Sequence, residues 1–504
     1  WEHVTRKSDP LEQFIGLVAL EGRNAVLFYR LLTDHFESLL PIVYTPTVGR
    51  ACQEFSHIFR QGRGLWITPD DRGRVREVLG HAPWEGVRLI VATDNERILG
   101  LGDQGAGGMW IPVGKLALYV AAAGFHPTQC LPISLDVGTD NRDLLEDELY
   151  IGWRGPRLRG AAYDELVEEF VEAVRDRFPD ALLQWEDFKK ANAFRLLDRY
   201  SDRLPSFNDD IQGTAGVALA GLMAASRVSG VPMAEQRIVL AGAGAAGVGI
   251  ARQLRDAMRR EGLAEEEILR RIALLDSTGL LVEGRAIDDA HKREFVWPRQ
   301  MAADCGFTGD GPFELDEVVR LLEPTALIGT SGQPGLFGRS LVEEMAAAVE
   351  RPAIFPFSNP TSKSEATPEE LVEWTSGRAL IATGSPFEPV RFGDRLIETG
   401  QGNNVYIFPG VGLGVVVSGA RRVVDAMFTA AAETLAASVT EADLARGSLY
   451  PRLGELRAIS RRIAAATARV AFDEELAEPL DEETLDRRLE EFVWSPDYPR
   501  VRLG

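Results

Sequence analysis

Apolar residues recur at helical spacing from Pro10-Leu11-Glu12 through Phe28-Tyr29-Arg30-Leu31-Leu32, which predicts amphipathic helices at the start of the chain. The pattern changes at Val87. Arg88-Leu89-Ile90-Val91-Ala92-Thr93-Asp94 reads as a strand, a Gly-rich stretch runs from Gly100 to Gly108, and Val113–Tyr119 returns to an apolar helix. A second strand-like run, Gln129–Asp136, follows. Strands alternating with helices predict a parallel α/β domain, and such sheets carry their sites at the C-terminal ends of strands. Asp94, Asp136, Glu186 and Asp209 all follow runs of this kind.

A helix predicted from about Gly213 to Ser226 bridges to a second α/β region. There Arg237–Ala241 is a short buried-type strand, Gly242-Ala243-Gly244-Ala245-Ala246-Gly247 turns into a helix through Val248-Gly249-Ile250-Ala251, and the strand Ile272–Leu275 ends at Asp276. The segment from Val415 to Phe472 is Ala- and Arg-rich and reads as helix, with a polar tail beyond it. The expected class is α/β: a helical N-terminal segment and parallel-sheet substrate domain over residues 1–212, a Rossmann-type domain over 213–475, and a tail over 476–504.

The glycine turn sits in the context its chemistry needs, with a strand before it, a helix after it and an acid closing the next strand. Gly242, Gly244, Ala245, Gly247 and Val248 would bring the pyrophosphate of a dinucleotide to the helix N-terminus, while Asp276 bonds a ribose hydroxyl. Asp276 would repel a 2′-phosphate, yet Ser277 and the pair Lys292-Arg293 offer tolerance for one. NAD and NADP both stay open, with a slight lean to NAD.

Composition narrows the partners. A formal charge of -21 argues against nucleic acid and anionic membrane, and no run of eighteen uninterrupted apolar residues or signal-peptide order is present. Cys52, Cys130 and Cys305 are too few and scattered for a disulfide framework, so a cytoplasmic location is expected. Residue 1 is Trp, so further sequence is expected before it. Lysine is scarce, six among 55 basic residues, and Lys115 stands out because it follows the Gly-rich loop and can lose a proton if desolvated. Its bland reading is a snorkelling lysine at a helix start.

Two acidic pairs, Glu186-Asp187 and Asp209-Asp210, would need a cation between them if they face one crevice. Glu186, Asp187 and Asp210 offer oxygen ligands for Mg²⁺ or Mn²⁺. The competing readings are solvated surface acids, or helix capping by Asp209 or Asp210. Tyr44 reads equally well as a buried tyrosine in a Pro turn, and His126 as a loop residue. Ser206 and Ser358 have no base nearby in sequence, which leaves a serine nucleophile unsupported.

Seven blocks in order resemble the malic enzymes. They are Tyr44-Thr45-Pro46-Thr47-Val48-Gly49, Glu96–Asp103, Pro112-Val113-Gly114-Lys115-Leu116, Ser134–Asn141, Phe207-Asn208-Asp209-Asp210-Ile211-Gln212-Gly213-Thr214, Phe357-Ser358-Asn359-Pro360-Thr361 and Gln401-Gly402-Asn403-Asn404-Val405. The resemblance implies oxidative decarboxylation of L-malate to pyruvate with reduction of NAD(P) and a divalent metal. It makes Lys115 the base for the C2 hydroxyl, Tyr44 the acid for C3, and Asp209 the residue that holds them. Lys115 would have to be partly neutral near pH 7, favoured by the metal and by Arg97. The metal ligands map to Glu186, Asp187 and Asp210, and the substrate carboxylate to Arg97; Asn359, Asn403 and Asn404 map to contacts with substrate and nicotinamide. One departure is Lys189-Lys190-Ala191 before Asn192, where the family often has an Asn-containing loop. A homodimer or homotetramer is implied. Malolactic chemistry, malate to lactate with bound NAD, uses the same residues and stays open, as does a non-catalytic nucleotide-binding protein.

Overall fold

The computed structural model describes residues 1–498, which form two compact units. Among the described residues, unit 1 comprises Trp1–Asp209, Phe408–Val423 and 453–498; unit 2 comprises Asp210–Ile407 and Val424–Arg452.

In unit 1 the expected strands form one parallel sheet: β1 (Leu65–Ile67), β2 (Leu89–Thr93), β3 (Cys130–Leu135), β4 (Leu182–Trp185) and β5 (Ser206–Asn208), in the order β1-β3-β2-β4-β5. All five residues of β2 are buried, as an unbroken apolar run in a sheet covered on both faces requires. The helix Trp110–Ala123 is buried at every residue but Val113 and ends at Gly124, whose φ of 71° supplies the left-handed cap. With the preceding turn it is long and apolar enough to cross a membrane, yet Gly105–Ala123 lies wholly inside the protein. The predicted N-terminal helices are Pro10–Arg23, Ala25–Asp34 and Phe36–Val43. Asp9 caps the first by accepting from the Leu11 N–H, and Asn24 caps the second through the Leu27 N–H.

The C-terminal part is shared between the two units. Phe408–Ser418, assigned from sequence to the Rossmann-type domain, belongs to unit 1 and is buried along its whole length. Glycines let it press against the helix Leu456–Asp473: a Cβ on Gly410 would lie 2.7 Å from Ile463 Cβ, and one on Gly414 2.5 Å from the Ala464 carbonyl oxygen. The polar tail also holds structure. Asp481 caps a helix over Glu482–Phe492 whose Leu485 and Leu489, one turn apart, are buried.

Unit 2 holds β6 (Ile238–Ala241), β7 (Ile272–Asp276), β8 (Gly279–Leu280), β9 (Ala326–Gly329), β10 (Ala353–Pro356) and β11 (Leu380–Thr383). A hairpin of β12 (Val390–Phe392) and β13 (Arg395–Ile397) precedes the edge strand β14 (Gly400–Gln401). The main sheet runs β14-β11-β10-β9-β6-β7-β8, parallel except for the β7–β8 pair. The chain builds outward from β6 in one direction through β7 and in the other through β9 and β10. The crevice beyond the C-terminal ends of β6 and β9 is therefore the topological switch point where doubly wound sheets take ligands. The helix foreseen from Gly213 runs over Thr214–Ser229 and packs within unit 2 against Ala245–Arg260 and Asp425–Ala437.

Candidate active site

Four acids stand one residue beyond four neighbouring strands: Asp94 after β2, Asp136 after β3, Glu186 after β4 and Asp209 after β5. All four are at least 98% buried, so they are not solvated surface acids. Lys115 reaches the same sheet edge from Trp110–Ala123. Its Nζ pairs with Asp209 Oδ2 through a short contact and with Glu186 Oε1 at 3.0 Å. The same Nζ lies 4.4 Å from the Phe408 ring centroid and 5.3 Å from that of Tyr44. Tyr44 follows Phe36–Val43 and donates to Glu186 Oε1 at 3.5 Å. Gly114 leaves room for it, since a Cβ there would meet Tyr44 Cδ2 at 3.0 Å.

These groups set one another's protonation. Burial pulls the Lys115 ammonium down, but Asp209 and Glu186 outweigh it and hold the group well above the ordinary lysine value. The expected partly neutral lysine is thus not what this charge set gives by itself. The Arg97 side chain is exposed, and its backbone N–H donates to the Asp187 carbonyl at 3.2 Å. Tyr44 is driven well above the ordinary phenol value by burial, opposed by Lys115 and reinforced by Glu186, so it keeps its proton.

Asp187 follows Glu186 and has a φ of 56°. Asp210 is joined to Asp209 by the peptide bond. Ligand oxygens of Glu186, Asp187 and Asp210 lie within 4.8 Å of one another, a set of hard donors that suits Mg²⁺ or Mn²⁺. Capping is not the role of the two aspartates in Thr214–Ser229, whose cap position is Gly213 with no side-chain capping bond. A cation held by Glu186 would offset part of the negative charge that keeps Lys115 protonated.

Two members of the cluster escaped the sequence reading. The Tyr119 hydroxyl donates to Gln184 Oε1, and Gln184 Nε2 donates to Glu186 Oε2 at 2.8 Å, so a buried chain orients the carboxylate that also faces Lys115. The signal was spacing: Tyr119 is one helical turn past Lys115, and Gln184 is two strand positions before Glu186. Asp94 serves a neighbouring network, accepting from Tyr163 Oη at 2.8 Å and from Asn192 Nδ2 at 3.3 Å.

Asp136 is pushed by burial up to about 6, against the N–H groups of Trp153 and Gly138. Its Oδ2 accepts from the Trp153 N–H at 2.7 Å, while Oδ1 has no hydrogen-bond partner among the described residues. A carboxylate raised on folding supports stability below its unfolded value near 4 and loses that support as pH rises through about 6. Asp136→Asn should therefore stabilise the protein by about 3 kcal/mol at pH 8, with the gain vanishing near pH 4. Denaturant unfolding at the two pH values measures it; an equal effect at both would mean that charge burial is not the cause.

In unit 2 the glycine turn has the predicted form. Gly242 has a φ of 126°, and a Cβ on Gly247 would lie 1.7 Å from the Gly242 carbonyl oxygen. Gly244 precedes Ala245–Arg260, whose first turn includes Ala245 and Val248, and a Cβ on it would meet nothing within 4 Å. That open space at a helix N-terminus fits a pyrophosphate. Gly244→Ala should leave thermal stability unchanged and weaken dinucleotide binding about tenfold, whereas Gly247→Ala should lower stability as well. Melting curves and coenzyme titrations of both variants separate the two effects.

Asp276, ending β7, accepts from Lys292 Nζ at 2.8 Å and Arg285 Nη2 at 2.6 Å. Although burial opposes it, these two cations hold the carboxyl well below its usual range. Of the pair Lys292-Arg293, Lys292 thus faces Asp276 beside Arg285, while Arg293 Nε donates to the Ile287 carbonyl. Asn359 is exposed and accepts from Ser385 Oγ at 2.6 Å. Asn403 accepts from the Val405 N–H, and Asn404 Nδ2 donates to Thr214 Oγ1, both at 3.0 Å. His126 is the loop residue expected, its Nδ1 accepting from the Thr128 N–H. The expectation that Ser358 lacks a base is corrected: Ser358 Oγ donates to Glu365 at 2.5 Å, but that oxygen also accepts two bonds from Ser331 and so is not a free base.

The family pattern described as malic enzyme, N-terminal domain, matches residues 21–201, and that of the malic enzyme, NAD binding domain, matches residues 211–472. An NAD-dependent malic enzyme of Pseudomonas aeruginosa is 47% identical over 98% of this chain and 87% of its own, and one of Sodalis glossinidius is 47% identical over 100% and 89%. Among solved structures, the Entamoeba histolytica malic enzyme is 25% identical with a TM-score of 0.61, covering 90% of this chain and 81% of its own. The Pyrococcus horikoshii malic enzyme has the same identity and TM-score, covering 90% and 88%. On the strength of both patterns and of this identity along almost its whole length, the chain belongs to the malic enzyme family.

Proposed function

We propose that the protein is an NAD-dependent malic enzyme that converts L-malate and NAD to pyruvate, carbon dioxide and NADH. The observation that carries this reading is the buried set of Lys115, Asp209, Glu186 and Tyr44, in which Glu186 also joins Asp187 and Asp210 with donor oxygens within 4.8 Å of one another. When bound, the divalent cation supplies a Lewis acid for the substrate C2 oxygen and NAD accepts the C2 hydride.

The chain's own groups handle the protons. Once a cation held by Glu186 offsets the negative charge around it, Lys115 in its neutral form takes the proton of the C2 hydroxyl, and Asp209, its close ion-pair partner, holds the amine in place for that transfer. Tyr44, kept protonated by burial, delivers a proton to C3 after carbon dioxide leaves. One proton taken and one given leave the turnover balanced. Glu186, Asp187 and Asp210 hold the metal. Arg97, on a loop tied by its backbone to Asp187, binds the substrate carboxylate, while Asn359, Asn403 and Asn404 orient substrate and nicotinamide. Gly242, Gly244, Ala245, Gly247 and Val248 receive the pyrophosphate, and Asp276 faces the ribose, where a negative charge favours NAD over NADP.

The assembly in this reading is a homodimer or homotetramer. The location is cytoplasmic, in keeping with three free cysteines. An absorbance assay at 340 nm with L-malate and Mn²⁺, run with NAD and with NADP and followed by pyruvate and lactate quantification, tests the whole proposal. Rising absorbance with matching pyruvate supports it. Flat absorbance with lactate would mean malolactic chemistry, and no product would leave a nucleotide-binding protein without turnover.

A further inference from the structure

Glu365 is one acid among 76 in the sequence, and the structure makes it unusual. It is fully buried in unit 2, and its carboxylate gathers four hydrogen bonds from two loops. Oε1 accepts from Ser331 N–H and Ser331 Oγ, each at 2.8 Å, and from Ser358 Oγ at 2.5 Å, while Oε2 accepts from the Ser358 N–H at 3.3 Å. Ser331 lies two residues beyond β9 and Ser358 two beyond β10. The approach is close enough to require glycine at the strand end, since a Cβ on Gly329 would lie 2.5 Å from Glu365 Cδ.

Both loops lead to the coenzyme-binding edge. Before Ser331, Thr330 Oγ1 donates to the Gly242 carbonyl at 2.9 Å, and a Cβ on Gly242 would meet the Thr330 carbonyl carbon at 2.7 Å. After Ser358 comes Asn359. The carboxylate thus joins the glycine turn at the switch point to the asparagine assigned to the nicotinamide, through Thr330 and Ser331 on one side and Ser358 on the other.

The charge state of the group matters to this junction. All four donors are neutral, and a carboxylate can meet four donors because it carries acceptors alone. A glutamine of the same shape would turn an NH₂ towards one of them, leaving two donors face to face in a buried site. We propose that Glu365 is a positioning residue for the coenzyme, fixing the β9 and β10 loops relative to the glycine turn so that NAD meets a preformed cradle; this rests on the NAD reading above.

The test is NADH binding by fluorescence titration, without turnover, alongside thermal melting and steady-state kinetics. Glu365→Gln should weaken NADH binding about tenfold and raise the KM for NAD to match, with the KM for malate within twofold of the parent. Ser331→Ala and Ser358→Ala should each weaken NADH binding about threefold. Adding Ser331→Ala to Glu365→Gln should weaken it by less than the product of the single effects, since both act on one junction. A folded Glu365→Gln variant that binds NADH within twofold of the parent overturns the proposal and leaves Glu365 as a brace of the core. If Glu365→Gln does not fold, unchanged NADH binding in both serine variants overturns it. Failure of the unaltered protein to bind NADH at all would instead strike at the NAD reading itself.

Discussion

Lys115→Arg should turn over malate at least about 10³-fold more slowly than the parent, with the KM for malate changed only a few fold, because loss of a positioned general base typically costs 10² to 10⁴. Arginine keeps the positive charge and so keeps the attraction to Asp209 and Glu186, which hold the Lys115 ammonium so firmly. What it loses is the ability to give up a proton near neutral pH. The side chain is 3% exposed and lies between the rings of Phe408 and Tyr44, so the planar guanidinium must also displace its neighbours. A melting curve separates that disturbance from the chemistry. Turnover above a tenth of the parent's in a folded variant would show that Lys115 serves as a counter-charge rather than a base.

The second large effect concerns the carboxylate trio, and it has an unusual sign. Without a cation, the closely set oxygens of Glu186, Asp187 and Asp210 repel one another, while Lys115 pairs with Glu186 and Asp209. Asp187→Asn should therefore raise the melting temperature of chelator-treated protein while abolishing the response to Mn²⁺ and nearly all activity. In the parent, Mn²⁺ at a hundred times its Kd should stabilise the fold by about 2.7 kcal/mol. Calorimetry with and without Mn²⁺ reads both quantities. A variant less stable than the parent in chelator would mean that Asp187 contributes hydrogen bonds to the fold that outweigh the repulsion.

The site was legible where its chemistry coincides with a boundary in the hydrophobic pattern. Glu186 and Asp209 close apolar strands, so their place at the sheet edge followed from the strands themselves, and Lys115 stood out because lysine is scarce. The glycine turn was legible because strand, turn and helix are contiguous. Contacts made at long range were not. Nothing near Asp276 says that Arg285 and Lys292 pair with it, since the path of the chain after β8 decides which side chains return. Gln184 and Tyr119 are uncharged and sit inside elements that read as plain core. The apolar character of Phe408–Ser418 announced a buried helix, but composition could not say in which unit it is buried. The tail looked polar because only Leu485 and Leu489 mark the inner face of its helix.

The return of the chain to unit 1 bears on how the protein comes into being. When Asp209 leaves the ribosome every strand of the first sheet has been made, yet the helices Phe408–Ser418 and Leu456–Asp473 that pack against the Lys115 helix are still to be translated. Domains usually fold in the order in which they emerge. Here the first unit must wait, with the apolar face of Trp110–Ala123 open to water or to a chaperone, until those two helices have been made. A stop codon after Arg452 would keep every residue assigned to the site and still leave that helix without the cover of Leu456–Asp473, so completion of the first unit depends on residues translated long after its sheet.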